Sequence, residues 1–303
     1  MSDCDAVERE LPRVEGVEHR FVEARGLRIH VAEAGEGDPL VMLHGWPQHW
    51  YEWRHLIPTL SKRYRVICPD LRGLGWTDAP PRGYEKEELA SDVLALLDVL
   101  SLDRVKLVGH DWGGWVGFLI CLREPARVER YLGLNILPPF VPVDARAVLS
   151  LWRFWYQWVI ATPWLGEWAV GQVASRRNPL FTWVGAGPAA WSPEEREIFL
   201  GQFRKPERAR ASVQYYRSFQ LREMPALLRG RYHGSRLSTP TRVLFGTEGR
   251  VMDARALDAS SRLADAMDYE LVDGAGHFIA DQCPNLVLDR ALSFFGDRAV
   301  GMG

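Results

Sequence analysis

Asp111 is the middle residue of Gly109-His110-Asp111-Trp112-Gly113, directly after the apolar run Val105-Lys-Leu-Val108 and directly before a stretch rich in small residues. A chain that passes from a buried strand through a glycine-flanked turn into a helix exposes the middle side chain above the sheet. Gly109 and Gly113 relieve the crowding at such a turn. The exposed group here is a carboxylate, not a hydroxyl or a thiol. A carboxylate needs no base to activate it and can displace a leaving group at a saturated carbon, giving an ester of its own side chain. Taken alone, Asp111 also has a lesser reading as an ordinary helix N-cap, and its companions decide.

The strand–turn–helix pattern is that of the nucleophile elbow of the α/β-hydrolase fold. His44-Gly45-Trp46-Pro47 follows an earlier buried run. In this fold that loop supplies one backbone donor of an oxyanion hole and the residue after the nucleophile supplies the other, which assigns the donors to Trp46 and Trp112. Gly274-Ala275-Gly276-His277-Phe278 lies past the last strand-like run. Of eight histidines, only His277 has both the chain order and the loop to act as general base on a water. The acid that orients such a histidine belongs in a G-x-x-Asp turn, here Gly246-Thr247-Glu248-Gly249, where Gly249 stands at the acid position. Glu248, one residue early with one more methylene, is the favoured acid. Asp253, which also looks like an N-cap, and the neutral Asn135 after the preceding strand are the alternatives.

The elements that must position these residues alternate. Leu27–Ala32, Leu40–Leu43, Tyr64–Cys68, Val105–Val108, Leu132–Asn135, Thr241–Phe245 and Tyr269–Val272 read as strands. Helices are expected at Lys86–Leu100, near Ala254–Ala266 and around Leu286–Phe295, with the carboxylates Glu85, Glu87 and Glu88 favouring the start of the first. Strands separated by helices imply a mostly parallel, doubly wound α/β sheet. From about Pro138 to Arg236 the strand pattern stops and only helix-like stretches remain. The expected organisation is therefore a core in two parts, residues 1–136 and 237–303, with an all-helical cap at 137–236.

Composition narrows the partners. The 303 residues carry 37 Lys plus Arg against 39 Asp plus Glu, a net charge of −2. That leaves no basic field for nucleic acid or an anionic membrane. The four cysteines are scattered without a CxxC pair, which argues against a zinc site or disulfide scaffold and for a reducing, cytoplasmic location. The charged N-terminus lacks the apolar core of a signal peptide. The most apolar stretch, Ala147–Val170, is interrupted by Arg153, Gln157 and Glu167, so no bilayer span is expected. Seven of thirteen tryptophans fall between Trp152 and Trp191.

His-Gly-Trp-Pro-Gln (44–48), Asp-Leu-Arg-Gly-Leu-Gly (70–75), Gly-His-Asp-Trp-Gly-Gly (109–114) and Gly-Ala-Gly-His-Phe (274–278) together resemble the epoxide hydrolases of the α/β-hydrolase superfamily, over nearly the whole chain. The set is shared with haloalkane and haloacetate dehalogenases, which also use an Asp nucleophile. The resemblance implies two cap tyrosines that hydrogen-bond and protonate the epoxide oxygen. Phe154-Trp-Tyr-Gln-Trp158 resembles the first tyrosine segment and Gln214-Tyr-Tyr-Arg-Ser218 the second, implying Tyr156 and Tyr216. Each tyrosine also has a plain reading as packing.

The implied reaction converts a small hydrophobic epoxide and water to a vicinal diol through an aspartyl ester, in a monomer or homodimer, with no cofactor and no metal. Trp46, Trp112, Trp155 and Phe278 are expected to line the pocket. A dehalogenase is the alternative, although Trp46 replaces the Asn found there in many haloalkane dehalogenases. A ligand-binding relative with little turnover is the other, given Gly249 at the acid position. A Glu in that role is no obstacle, since microsomal-type epoxide hydrolases use one.

Overall fold

The computed structural model describes residues 11–141, 154–172, 191–248 and 255–296. Gly249, Asp253, Trp152 and Trp183 lie outside the described residues. One sheet contains β1 (Glu18–Ala24), β2 (Leu27–Ala34), β3 (Asp38–Leu43), β4 (Tyr64–Pro69), β5 (Val105–His110), β6 (Val128–Leu134), β7 (Thr241–Gly246) and β8 (Met267–Val272). Their spatial order is β1-β2-β4-β3-β5-β6-β7-β8. The β1–β2 and β2–β4 pairings are antiparallel and all others are parallel.

Helices α1 (Lys86–Val99) and α2 (Asp111–Arg123) connect strands of this sheet. Among the described residues from 154 to 228 every regular element is helical, including α3 (Trp155–Ala161), α4 (Leu165–Gly171), α5 (Pro193–Leu200) and α6 (Pro206–Ser218). Helices α7 (Arg255–Ser261) and α8 (Pro284–Gly296) follow β7 and β8. No helix among the described residues is long and apolar enough to cross a membrane.

The strands sort their side chains with the period of two that a pleated backbone imposes. Val41 and Leu43 join the apolar layer of α1 and α2. Leu40 and Met42 join the opposite layer, which α8 closes through Val287, Ala291 and Phe294. Covered on both faces, β5 is buried along its whole length, and its sequence is accordingly a nearly continuous apolar run.

Two departures from the sequence pattern have local causes. β1 is not signalled as a strand because this sheet-edge run buries only Val22 and Ala24. The helix expected to reach Ala266 ends at Ser261, because the backbone of Leu237 bonds to Leu263 and Asp265 and draws the chain into a short parallel bridge at Ala264.

The strand order reverses at the centre. From β3 the chain moves outward to β4, then returns on the other side of β3 as β5. The crevice beyond the carboxyl ends of strands at such a reversal is where open α/β sheets bind ligands. The loops leaving β3 and β5 carry Gly45-Trp46 and Asp111 into it.

Candidate active site

β5 ends at His110 and α2 begins at Asp111, with no loop residue between them. Asp111 takes a left-handed backbone conformation, φ 48°, which is uncommon for a residue with a side chain. The turn is tight. A Cβ on Gly113 would stand 2.3 Å from the carbonyl oxygens of Leu43 and His44, and one on Gly45 would stand 2.4 Å from the Asp111 Cβ. Glycine is required at both places by close approach of the β3 and β5 loops. The Trp46 amide donates to Asp111 Oδ2 at 2.9 Å. The positive end of α2 further favours the carboxylate's charge. The other oxygen, Oδ1, faces His277 Nε2 at 3.6 Å.

The loop bearing His277 is tied from three sides. Asn135, itself left-handed at φ 46°, donates through Nδ2 to the carbonyls of Gly276 and His277, both at 2.8 Å, and accepts from the Gly246 amide at 2.8 Å. His110 Nε2 donates to the His277 carbonyl at 2.8 Å, and Gln282 Oε1 accepts from the Gly276 amide at 2.8 Å. Burial and the neighbouring His110 push the His277 ring down to about 4, with Asp111 acting in the opposite sense. It is therefore neutral near pH 7 and able to take a proton.

Tyr156 on α3 and Tyr216 on α6 are both buried, with ring centroids 6.4 Å apart in edge-to-face contact. Tyr216 packs edge-on against Trp46 at 5.3 Å and Trp112 at 5.7 Å. Burial raises both phenols above their ordinary range, and the Asp111 charge adds to this, so both keep their protons and stay donors. Gln157 Nε2 donates to the Tyr156 oxygen at 3.5 Å and is oriented by Gln220 at 2.6 Å. The neighbouring Tyr215 points away, donating to the Arg72 carbonyl at 2.9 Å. The helical sense thus separates two adjacent tyrosines that look alike in the sequence.

The acid expected to orient His277 is not brought to it among the described residues. Glu248 is exposed. Its amide donates to Ala275 O at 3.0 Å, but its carboxylate makes no contact with His277 there. Asp253 lies outside the described residues. Asn135 acts on the backbone of the His277 loop and not on the ring. Trp155 requires a correction: it and Trp158, three residues on, share the outer side of α3 and are 41% and 52% exposed, whereas Tyr156 and Ile160 share the buried side. Phe278 is fully buried between His277 and Trp191, with its surface spent on packing behind His277.

Three buried charged residues near the elbow escape sequence reasoning. Glu52 and His110 form an ion pair at 2.7 Å without solvent exposure. Lys86, at the start of α1, donates to the Tyr215 carbonyl at 2.6 Å and to Glu223 at 2.9 Å, with its ammonium 4.4 Å above the Trp112 ring. The available signal was an acid inside the aromatic run Trp50-Tyr-Glu-Trp53; Lys86 looked like any polar residue of a helix's first turn. The helices above the crevice are also tied down through Trp46 Nε1 to Ser212 at 2.9 Å and Arg54 to Glu195 at 2.6 Å.

Residues 38–164 match the family model described as alpha/beta hydrolase fold. The soluble epoxide hydrolase of Corynebacterium sp. (strain C12) is 30% identical, over 92% of this chain and 97% of that protein. The fluoroacetate dehalogenase of Burkholderia sp. is 30% identical, over 95% and 97%. The solved structure of the epoxide hydrolase CorEH without ligand superposes with a TM-score of 0.80 at 31% identity, covering 92% of this chain and 99% of its own. The chain belongs to the epoxide hydrolase family of the α/β-hydrolase superfamily.

Proposed function

We propose that the protein is an epoxide hydrolase that converts hydrophobic epoxides to vicinal diols through an ester of Asp111. The observation that carries this reading is the buried pair Tyr156 and Tyr216, two protonated phenols held beside the Asp111 carboxylate. Epoxide opening expels an alkoxide still tethered to the substrate, and two fixed donors are what that charge requires.

In the first step Asp111 Oδ1 attacks one ring carbon, the carbon–oxygen bond breaks away from it, and a tyrosine proton passes to the alkoxide. Oδ2, already bonded to the Trp46 amide, becomes the ester carbonyl oxygen. Neutral His277 then removes a proton from water, and the resulting hydroxide adds to the Asp111 carbonyl carbon. The amides of Trp46 and Trp112 hold the oxyanion until it collapses, releasing the diol as His277 returns its proton to the leaving oxygen, and the proton left on the Asp111 carboxyl passes through solvent to the tyrosinate, restoring both groups. Glu248 or Asp253 orients the ring. The residues at 137–236 act as a cap that excludes water. The scattered cysteines, without a CxxC pair, favour a cytoplasmic location.

A haloacetate would need a cation for its carboxylate. Lys86, the buried ammonium beside the elbow, is committed to Glu223, which favours an uncharged substrate.

Diol formation from a panel of styrene, stilbene, terpene and fatty-acid epoxides tests the activity, with halide release from haloalkanes and haloacetates scored in parallel. A single turnover in ¹⁸O-water should place label in Asp111. Label found only in the diol, or halide release without diol, would overturn the reading.

A further inference from the structure

Five of the nine large apolar side chains exposed among the described residues fall between positions 155 and 168: Trp155, Trp158, Trp164, Leu165 and Trp168. They lie on α3 and α4, which pack against each other and against α6. Each helix is two-sided. On α3, Tyr156 and Ile160 turn inward while Trp155 and Trp158 turn out; on α4, Ala169 and Val170 turn inward while Leu165 and Trp168 turn out. Trp164, at the turn between the helices, is 85% exposed and holds a positive φ of 61°, which is uncommon for so bulky a residue. The four indoles together expose roughly 400–600 Å², the size of the largest apolar patch on an ordinary monomer. The other exposed residues of 154–172 are Thr162, Pro163 and Gln172, and the one charged residue of that stretch is the half-buried Glu167.

We propose that this outer side of α3 and α4 docks the protein on the surface of a zwitterionic phospholipid bilayer, with the indoles seated at the level of the headgroups.

Hydrogen-bond complementarity selects lipid over a second copy of the chain. The indole N–H groups that dominate the polar character of this side are donors only. A second copy meeting the same face would set donors against donors and bury them without acceptors, at the full cost of desolvating each. A phospholipid surface offers phosphate and ester carbonyl oxygens to the N–H edges and hydrocarbon to the ring faces, which is why tryptophan concentrates at that boundary. Area points the same way. Two copies joined through these indoles would bury roughly 800–1,200 Å² in all, at or below the lower bound of a stable protein interface. Residues 154–172 contain no Lys or Arg, so this side has no grip on anionic lipid and salt should not weaken its binding.

The inner side of α3 carries Tyr156. The helix that supplies a donor is thus also the one in contact with the phase in which apolar epoxides dissolve. That consequence rests on the reaction proposed above; the docking itself does not.

The test is flotation of the full chain with phosphatidylcholine vesicles, together with hydroxyl-radical footprinting read at each tryptophan by mass spectrometry. Wild type should float with the vesicles at low and high salt alike. Trp158, Trp164 and Trp168 should be labelled in the free chain and protected on vesicles. Trp164→Ser and Trp168→Ser should each weaken vesicle binding about tenfold, and the double variant about a hundredfold, with the thermal unfolding midpoint unchanged.

No flotation, binding that appears only with anionic lipid, or folded variants that bind like wild type would overturn the proposal. So would protection of these rings without vesicles: in dilute solution it would mean that the chain itself covers them, and if it grew with protein concentration it would mean that a second copy does. The wild-type footprint needs neither a variant nor turnover. A chain that docks as expected but forms no diol would overturn the proposed function and leave the docking standing.

Discussion

His277 Nε2 stands 3.6 Å from Asp111 Oδ1, beyond ordinary hydrogen-bond length, while the other Asp111 oxygen is held by the Trp46 amide at 2.9 Å. The two groups are neighbours without being bonded to each other. A serine nucleophile would need a bond to the histidine to lose its proton; a carboxylate does not. On the proposed mechanism the base is thus left for water once the ester has formed.

Replacing His277 with Gln should therefore leave alkylation intact and block release. Mass spectrometry of the intact variant after epoxide addition should show one substrate mass added to Asp111, with turnover lowered by about 10²- to 10⁴-fold. In wild type the hydrolytic step should hold down to about pH 4 and fall only below it, because the value of about 4 for His277 includes the support of the Asp111 charge, which the ester removes. An acid limb near the ordinary histidine value would contradict that.

The tyrosines should act on the other half of the reaction. Tyr156→Phe and Tyr216→Phe should each slow Asp111 alkylation by about 10²-fold in single-turnover kinetics, while leaving hydrolysis of the preformed ester close to normal. The double variant should lose more than either alone. Tyr215→Phe removes a bond to the Arg72 carbonyl and should lower thermal stability without selectively slowing alkylation. Equal effects of all three on the alkylation step would mean that Tyr216 is packing.

Glu248→Gln and Asp253→Asn separate the candidate acids. The residue that orients His277 should lower the hydrolysis rate by about 10²-fold or more when neutralised, with alkylation spared, as loss of an orienting carboxylate does in a catalytic triad. Wild-type rates in Glu248→Gln would exclude it.

Lys86 tests how the helical insertion is held. Lys86→Met leaves Glu223, otherwise its buried partner, without a cation and should destabilise the chain by about 3 kcal/mol in urea unfolding. Combining it with Glu223→Leu should recover most of that loss, because the double change removes both charges together. A single variant as stable as wild type would show that the ammonium has no net role.

The sequence by itself determined the central strands of the sheet and the turns that carry Asp111 and His277. Continuous apolar runs such as Val105–Val108 are covered on both faces, and their ends coincide with glycines that close approach demands. Gly45 and Gly113 are such positions, so a local pattern already announces the turn that exposes Asp111. The His277 loop was legible because Gly274, at φ 74°, turns the chain just after β8.

What the sequence left open depends on direction and partner, which spacing along the chain does not encode. Helical sense turned Tyr216 inward and Tyr215 away, and it put Trp155 on the outer side of its helix although it adjoins Tyr156. The roles of Asn135, Glu52, His110 and Lys86 arise only when β3, β5, β6 and the loop after β8 converge. Buried polar groups there must find partners scores of residues away, and only the tertiary structure chooses them.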